Sequence, residues 1–161
     1  MTEIEKRPVL RRATDADARS ITELVADAYR HYEPLIGRTP MPMLIHYEEA
    51  LREHDVWVLE ANGTLVGIIE LEPRLDHLWI ENVAVAPRWQ GRGFGRLLLR
   101  HAEAEARRHG LAELGLLTNE RYLGNIAMYA RYGYRETERV PYRGTDLVYF
   151  RKRLTDPEPA D

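Results

Sequence analysis

Between two apolar stretches the chain reads Gln90-Gly91-Arg92-Gly93-Phe94-Gly95, with Arg88 before it and Arg96 after it. Glycine lets a backbone take positive φ and come close to a ligand. Phe94, Leu97, Leu98, Ala102 and Ala106 follow at helical spacing, so a helix is expected to begin within this segment. The first-turn N–H groups of such a helix have no carbonyl partner, and its dipole adds positive character. Three arginines place guanidinium groups around the same turn. The chemistry this predicts is the holding of an anion such as a phosphate. A Walker loop is excluded, because Gly-Lys-Ser/Thr is missing. A dinucleotide fingerprint needs its third glycine where Arg96 stands, in a βαβ unit that opens a parallel sheet. The plain alternative is a turn that only packs a helix on a sheet.

The segment resembles the acetyl-CoA signature of the GNAT acetyltransferase superfamily, Gln/Arg-x-x-Gly-x-Gly/Ala. Gln90, Gly93 and Gly95 stand at its three specified positions. Ile80-Glu81-Asn82-Val83-Ala84-Val85-Ala86-Pro87 looks like the family's fourth strand. Asn125-Ile126-Ala127-Met128-Tyr129, then Gly133-Tyr134, looks like its closing helix. The resemblance covers nearly the whole chain in element order. It implies an acetyl-CoA-dependent N-acyltransferase in which the fourth and fifth strands diverge around the pantetheine arm. Backbone groups of Val83, Ala84 and Val85 would bind that arm as a neighbouring strand does, and one N–H would polarise the thioester carbonyl. The pyrophosphate would rest on Gly91, Arg92, Gly93, Phe94, Gly95 and Arg96, beside Gln90. Asn125 matches a cofactor contact, and its other role is a helix N-cap. Tyr129 matches the family's general-acid tyrosine; a phenol near pKa ~10 can protonate a thiolate of similar basicity. Its other role is core packing with Ile126.

An amine must lose its proton before it attacks, so a base is needed. Glu81 is the candidate. On a strand it is expected to share a face with Trp79 and Val83, and apolar neighbours would raise its pKa. It could equally make a structural hydrogen bond or face solvent. His77 is a second candidate. Tyr29, Tyr32, Glu33 and residues 40–43 fall where the family builds its acceptor wall, or form a packed loop. The aromatic run at 142–149 could add to that wall or to a dimer contact. The acceptor is expected to be a primary amine of a small metabolite, an antibiotic or a protein N-terminus or lysine, with short chain and near-neutral charge favouring a small molecule. Two alternatives stay open: a non-catalytic coenzyme A-binding module, and a nucleotide-binding regulator using the same cradle.

The elements that must position these residues are legible in outline. Residues 9–13 read as a strand, and Thr14 with Asp17 as a capping-box-like helix start. Ile21, Leu24, Val25, Ala28 and Tyr29 form one apolar helical face. Residues 32–42 hold three prolines and read as a loop, and 43–54 as a short helix. Asn62-Gly63 predicts a hairpin between strands 56–61 and 65–71. Strand 78–85, the helix from Phe94 to a Gly110 cap, strand 111–118, helix 124–132 and strands 134–140 and 147–154 follow. The strand-helix-strand crossover implies a parallel pair. The fold class is therefore α/β, more fully α+β: a GNAT-like mixed sheet of six or seven strands, largely antiparallel around a central parallel pair, with about four helices.

The chain has 161 residues, a net charge of -3 and no cysteine. One domain at 1–154 and a flexible tail at 155–161 are expected. The missing basic stripe argues against nucleic acid. No run nears the ~20 apolar residues of a membrane span, and residues 1–8 carry no secretory signal, so a cytoplasmic protein is expected. Arginine far outnumbers lysine, which suggests a bacterial genome. The histidines lie at no ligand spacing, so no metal is expected. The resemblance makes a homodimer a reasonable expectation.

Overall fold

The computed structural model describes residues 7–155. Apart from Thr155, the expected tail lies outside the described residues. The strands are β1 Val9–Arg12, β2 Asp55–Ala61, β3 Thr64–Pro73, β4 Leu78–Val85, β5 Glu113–Asn119, β6 Arg135–Tyr142 and β7 Thr145–Arg153. The helices are α1 Ala18–Tyr29, the single turn α2 Glu33–Ile36, α3 Tyr47–Glu53, α4 Phe94–Arg108 and α5 Leu123–Arg131. The strands form one sheet in the order β1-β2-β3-β4-β5-β7-β6. Among the described strands, only β4 and β5 run parallel, because α4 carries the chain across one face between them.

Each sheet face buries its own apolar layer. Leu98, Leu99, Ala102 and Ala106 of α4 pack with Leu71, Leu78, Ile80 and Val83 on one side. Ile21, Leu24, Val25 and Ala28 of α1 pack with Val58, Ile68 and Ala84 on the other, joined by Tyr47 of α3. Gly67 lets α4 sit close: a Cβ there would lie 3.1 Å from Leu98 Cδ1. The start of α1 is tied to the sheet by Asp17. Its carboxylate accepts from the Thr14 amide at 2.7 Å and from both terminal nitrogens of Arg11, at 2.8 and 2.9 Å. Hydrogen bonding from Arg11 is the main reason that the Asp17 carboxyl is held down to about 2.

The hairpins close through two-residue turns with positive φ at both positions, Asn62-Gly63 (52° and 76°) and Arg143-Gly144 (48° and 86°). The second turn extends β6 and β7 beyond the expected strand ends, to the pair Tyr142 and Thr145. The segment 32–54 also departs from expectation. Pro34 suits the first turn of a helix, so α2 forms inside the supposed loop and Gly37 ends it at φ 70°. The expected helix at 43–54 is broken: a 3₁₀ turn at Met41–Leu44 is followed by extended backbone at Ile45 and His46 before α3.

β4 decides the geometry of the centre. It pairs with β5 only at Leu78–Leu114 and Trp79–Gly115. On its other edge, Asn82 faces Glu70 while Ile80 faces Leu71, leaving Glu81 as an extra, bulged residue. A bulge bends the strand that carries it. This one sits where β4 leaves β5, and beyond it the two strands diverge.

Candidate active site

The glycine turn meets α4 in a form that leaves donors open. Gly91 and Gly93 take φ 77° and 84°, and Gly93 directly precedes the helix. The first α4 amide with a backbone partner here is Leu97, which bonds the Gly93 carbonyl at 3.1 Å. No backbone acceptor among the described residues takes the amides of Gly93, Phe94, Gly95 or Arg96. Gln90 folds back, its Nε2 donating to the Val85 carbonyl at 3.0 Å, so the turn is fastened to the end of β4. A Cβ on Gly95 would lie 3.2 Å from Met128 Sδ, so glycine here lets α5 approach the same turn.

A cleft of about 410 Å³ lies over this turn. Val83, Ala84, Val85, Gln90, Gly91, Gly93, Phe94, Gly95, Arg96 and Asn125 all line it. Arg92 does not; its guanidinium lies 4.7 Å over the Trp89 ring. Trp89, Met128, Arg131 and Tyr132 line the cleft as well, and sequence reasoning missed them. The signal available for Met128 and Tyr132 was their helical spacing from Asn125 and Tyr129.

A second cavity, about 130 Å³, lies farther along the gap between β4 and β5. Glu81 and Tyr129 both line it, as do Met41, Pro42 and Ile45. The break before α3 thus turns Ile45 toward the cavity. Tyr29 and Val83 line both cavities and so mark where they meet.

Tyr129 is buried, and desolvation pushes its phenol well above the usual range, beyond the value expected from the residue type alone. No hydrogen-bond partner for its hydroxyl is found among the described residues. Glu81 is exposed rather than enclosed by apolar groups, and Trp79 Nε1 donates to its Oε2 at 2.8 Å. It shares a face with Trp79, as expected. It does not share one with Val83, which packs against α4, because the bulge at Glu81 resets the alternation. The deeply buried carboxylate of this region is instead Glu70 on β3. Burial raises its pKa, and His54 Nδ1 lies 2.6 Å from it. Glu70 lines neither cavity.

Tyr29 is also held from within. Its hydroxyl donates to Asn82 Oδ1 at 2.9 Å, and Asn82 Nδ2 donates to the Tyr47 hydroxyl at 2.9 Å. Asn82 therefore clamps α1 and α3 to β4. Tyr32 lines the larger cleft and stacks on Tyr122, with ring centroids 4.0 Å apart. Glu33 is exposed and lines neither cavity. His77 is buried beside Asp76 and also lines neither. Arg38, Trp79, Asn82 and Tyr122 line the smaller cavity without having been singled out. Trp79 was legible, two residues from Glu81 on one strand; Arg38, in a loop, carried no periodic signal.

Residues 19–134 match the model of the Acetyltransferase (GNAT) family. The chain belongs to the GNAT acetyltransferases. An aminoglycoside N(6')-acetyltransferase type 1 from Stenotrophomonas maltophilia is 29% identical over 161 aligned positions, covering 94% of this chain and 97% of the relative. An aminoalkylphosphonate N-acetyltransferase from Salmonella typhimurium is 30% identical, covering 80% and 85%. The PaiA N-acetyltransferase of Thermoplasma acidophilum, solved with coenzyme A, superposes with a TM-score of 0.79 over 92% of this chain and all of that one; at 16% identity it shows the shared fold. In this GNAT acetyltransferase the larger cleft brings together the kinds of group that coenzyme A would need. Its open amides and Arg96 are fitted to phosphate, and the free edge of β4 to an extended arm. Among the described residues, no helix is long and apolar enough to cross a membrane.

Proposed function

We propose that this GNAT acetyltransferase moves an acetyl group from acetyl-CoA to a primary amine by direct attack, with both substrates bound together. The observation that carries this reading is the meeting of the two cavities at Tyr29 and Val83. A donor in the larger cleft and an amine in the smaller cavity would face each other there. When bound, acetyl-CoA supplies the activated acyl group and a thiolate leaving group.

The residues of the chain have separate tasks. The amides before and within the first turn of α4 hold phosphate oxygens. The backbone of Val83, Ala84 and Val85 aligns the arm, and one of its N–H groups favours negative charge on the carbonyl oxygen. The Glu81 carboxylate, oriented by the Trp79 indole, takes the amine proton directly or through water. The Tyr129 hydroxyl keeps its proton because burial disfavours the phenolate. A thiolate formed in the same desolvated cavity is also more basic than in water, so Tyr129 can hand its proton on. The two near-full-length relatives carry names of enzymes acting on small amines, which favours a small-molecule acceptor here.

Tyr129→Phe tests the reading, because it removes one hydroxyl and keeps the ring. The expected result is a kcat lower by about 10²-fold or more, with coenzyme A affinity and melting temperature retained. Unchanged kcat across an amine panel removes Tyr129 from the chemistry. Binding of acetyl-CoA with no turnover of any amine by the wild type would make the chain a coenzyme A-binding module.

A further inference from the structure

Resting on the reading of the smaller cavity as the acceptor site, we infer that its acceptor carries an anionic oxyacid group, a carboxylate or phosphonate, alongside the amine. Arg38 and Glu81 are the two charged side chains among the described residues lining this cavity. No ion pair joins them, and Arg38 has no carboxylate partner among the described residues. Its Nε is buried and lacks a hydrogen-bond partner among the described residues.

The guanidinium is nevertheless held in place. It lies 5.1 Å from the Tyr142 ring centroid. Gly37, at φ 70°, turns the chain after α2 and so delivers Arg38. Arg121 donates to the Leu35 carbonyl at 2.5 Å and fixes the same segment. Arg143 adds a second guanidinium over Tyr142, at 5.3 Å, also without a carboxylate partner among the described residues. A half-buried guanidinium with an unsatisfied N–H is a poor structural device and a good receptor. Its fork matches the paired oxygens of a carboxylate or phosphonate, and partial desolvation strengthens the bond.

The two charges divide the acceptor. Glu81 faces the amine end, and Arg38 receives the acid end. A polycationic acceptor such as an aminoglycoside would find one carboxylate and a repelling cation in the cavity. Losing a charge-assisted bond of this kind changes apparent affinity by roughly ten- to hundredfold.

The test compares β-alanine and 2-aminoethylphosphonate with β-alaninamide, propylamine and kanamycin, using wild type, Arg38→Gln and Arg38→Lys with saturating acetyl-CoA. The expected result is a wild-type kcat/KM at least tenfold higher for the two acids. Arg38→Gln should erase that preference by raising KM for the acids toward that of the neutral amines, and Arg38→Lys should restore part of it. The ratio between the two acids tells which oxyacid is preferred. A wild type that prefers kanamycin or the neutral amines, or an Arg38→Gln that loses all acceptors equally, overturns the inference while leaving acetyl transfer standing. If no amine turns over, calorimetric titration of the coenzyme A-loaded protein with the same acids still decides. Binding by wild type and not by Arg38→Gln supports the subsite, and equal or absent binding in both overturns it.

Discussion

Gly93→Ala separates what backbone conformation contributes to the proposed phosphate cradle from what side chains contribute. Gly93 stands at φ 84° directly before α4, and a Cβ placed on it meets nothing within 4 Å. The cost is therefore conformational, about 1–2 kcal/mol for an L-residue in the left-handed region. For a chain of this size that lowers Tm by roughly 2–8 °C. If the alanine instead relaxes toward negative φ, the amides around it cease to converge. One lost charge-assisted bond of about 1.5–3 kcal/mol raises the Kd for coenzyme A roughly ten- to hundredfold. Gly110→Ala is the matched control: φ is 70°, the added Cβ again meets nothing, and the site is the far end of the same helix. Thermal melts of the free proteins should show similar losses for both variants. Calorimetric titration with coenzyme A should show weakening for Gly93→Ala alone. Equal coenzyme A affinity in the two variants would refute the cradle argument, whatever the melts show.

Glu81→Gln should lower kcat by tenfold or more while the Kd for acetyl-CoA stays within about twofold, since a carboxamide is a far weaker base; stopped-flow turnover with a saturating amine reads it, and wild-type kcat sinks the assignment. Leu98→Ala should cost about 2–5 kcal/mol, measured by urea unfolding, because Leu98 is fully buried against β3. Asn82→Ala should remove the bridge between the Tyr29 and Tyr47 hydroxyls, leaving Tyr29 only its longer 3.3 Å bond to the Val83 carbonyl, cost about 0.5–1.5 kcal/mol for each hydrogen bond lost, and loosen α1 and α3 in hydrogen exchange. The Asp17 carboxyl is held down to about 2, so its contribution is full above the unfolded value near 3.8 and is lost as pH falls toward 2. The stability gap between wild type and Asp17→Asn should accordingly be flat from pH 7 to 5 and shrink below pH 4; a gap that widens on acidification reverses the sign.

The sequence alone determined those features whose cause is local. Asn62-Gly63 can form a tight hairpin because both residues tolerate positive φ. The spacing of Leu98, Ala102 and Ala106 makes α4 amphipathic, and the glycines before it leave the turn open whatever the rest of the chain does. The parallel β4–β5 pair followed from the intervening helix, since chain connectivity permits little else. The anion-binding role proposed for this turn thus rests on features that are local in the sequence.

Tertiary structure decided whatever depends on register and long-range approach. One bulged residue in β4 moved Val83 to the face opposite Glu81, and period-two counting has no means of seeing an extra residue. The deeply buried carboxylate near the centre turned out to be Glu70, because Tyr47 of α3 and His54 at its end lie against it, contacts between separate segments. Glu33 and Tyr32 are neighbours in sequence, yet only Tyr32 reaches a cavity, through its stack on Tyr122 some ninety positions away. Arg38 entered the smaller cavity through a glycine turn and the Tyr142 ring, contacts between segments that share no local pattern. Local sequence sets which backbone shapes are cheap; which side chains then meet across the gap is fixed only when the sheet closes and β4 bends away from β5.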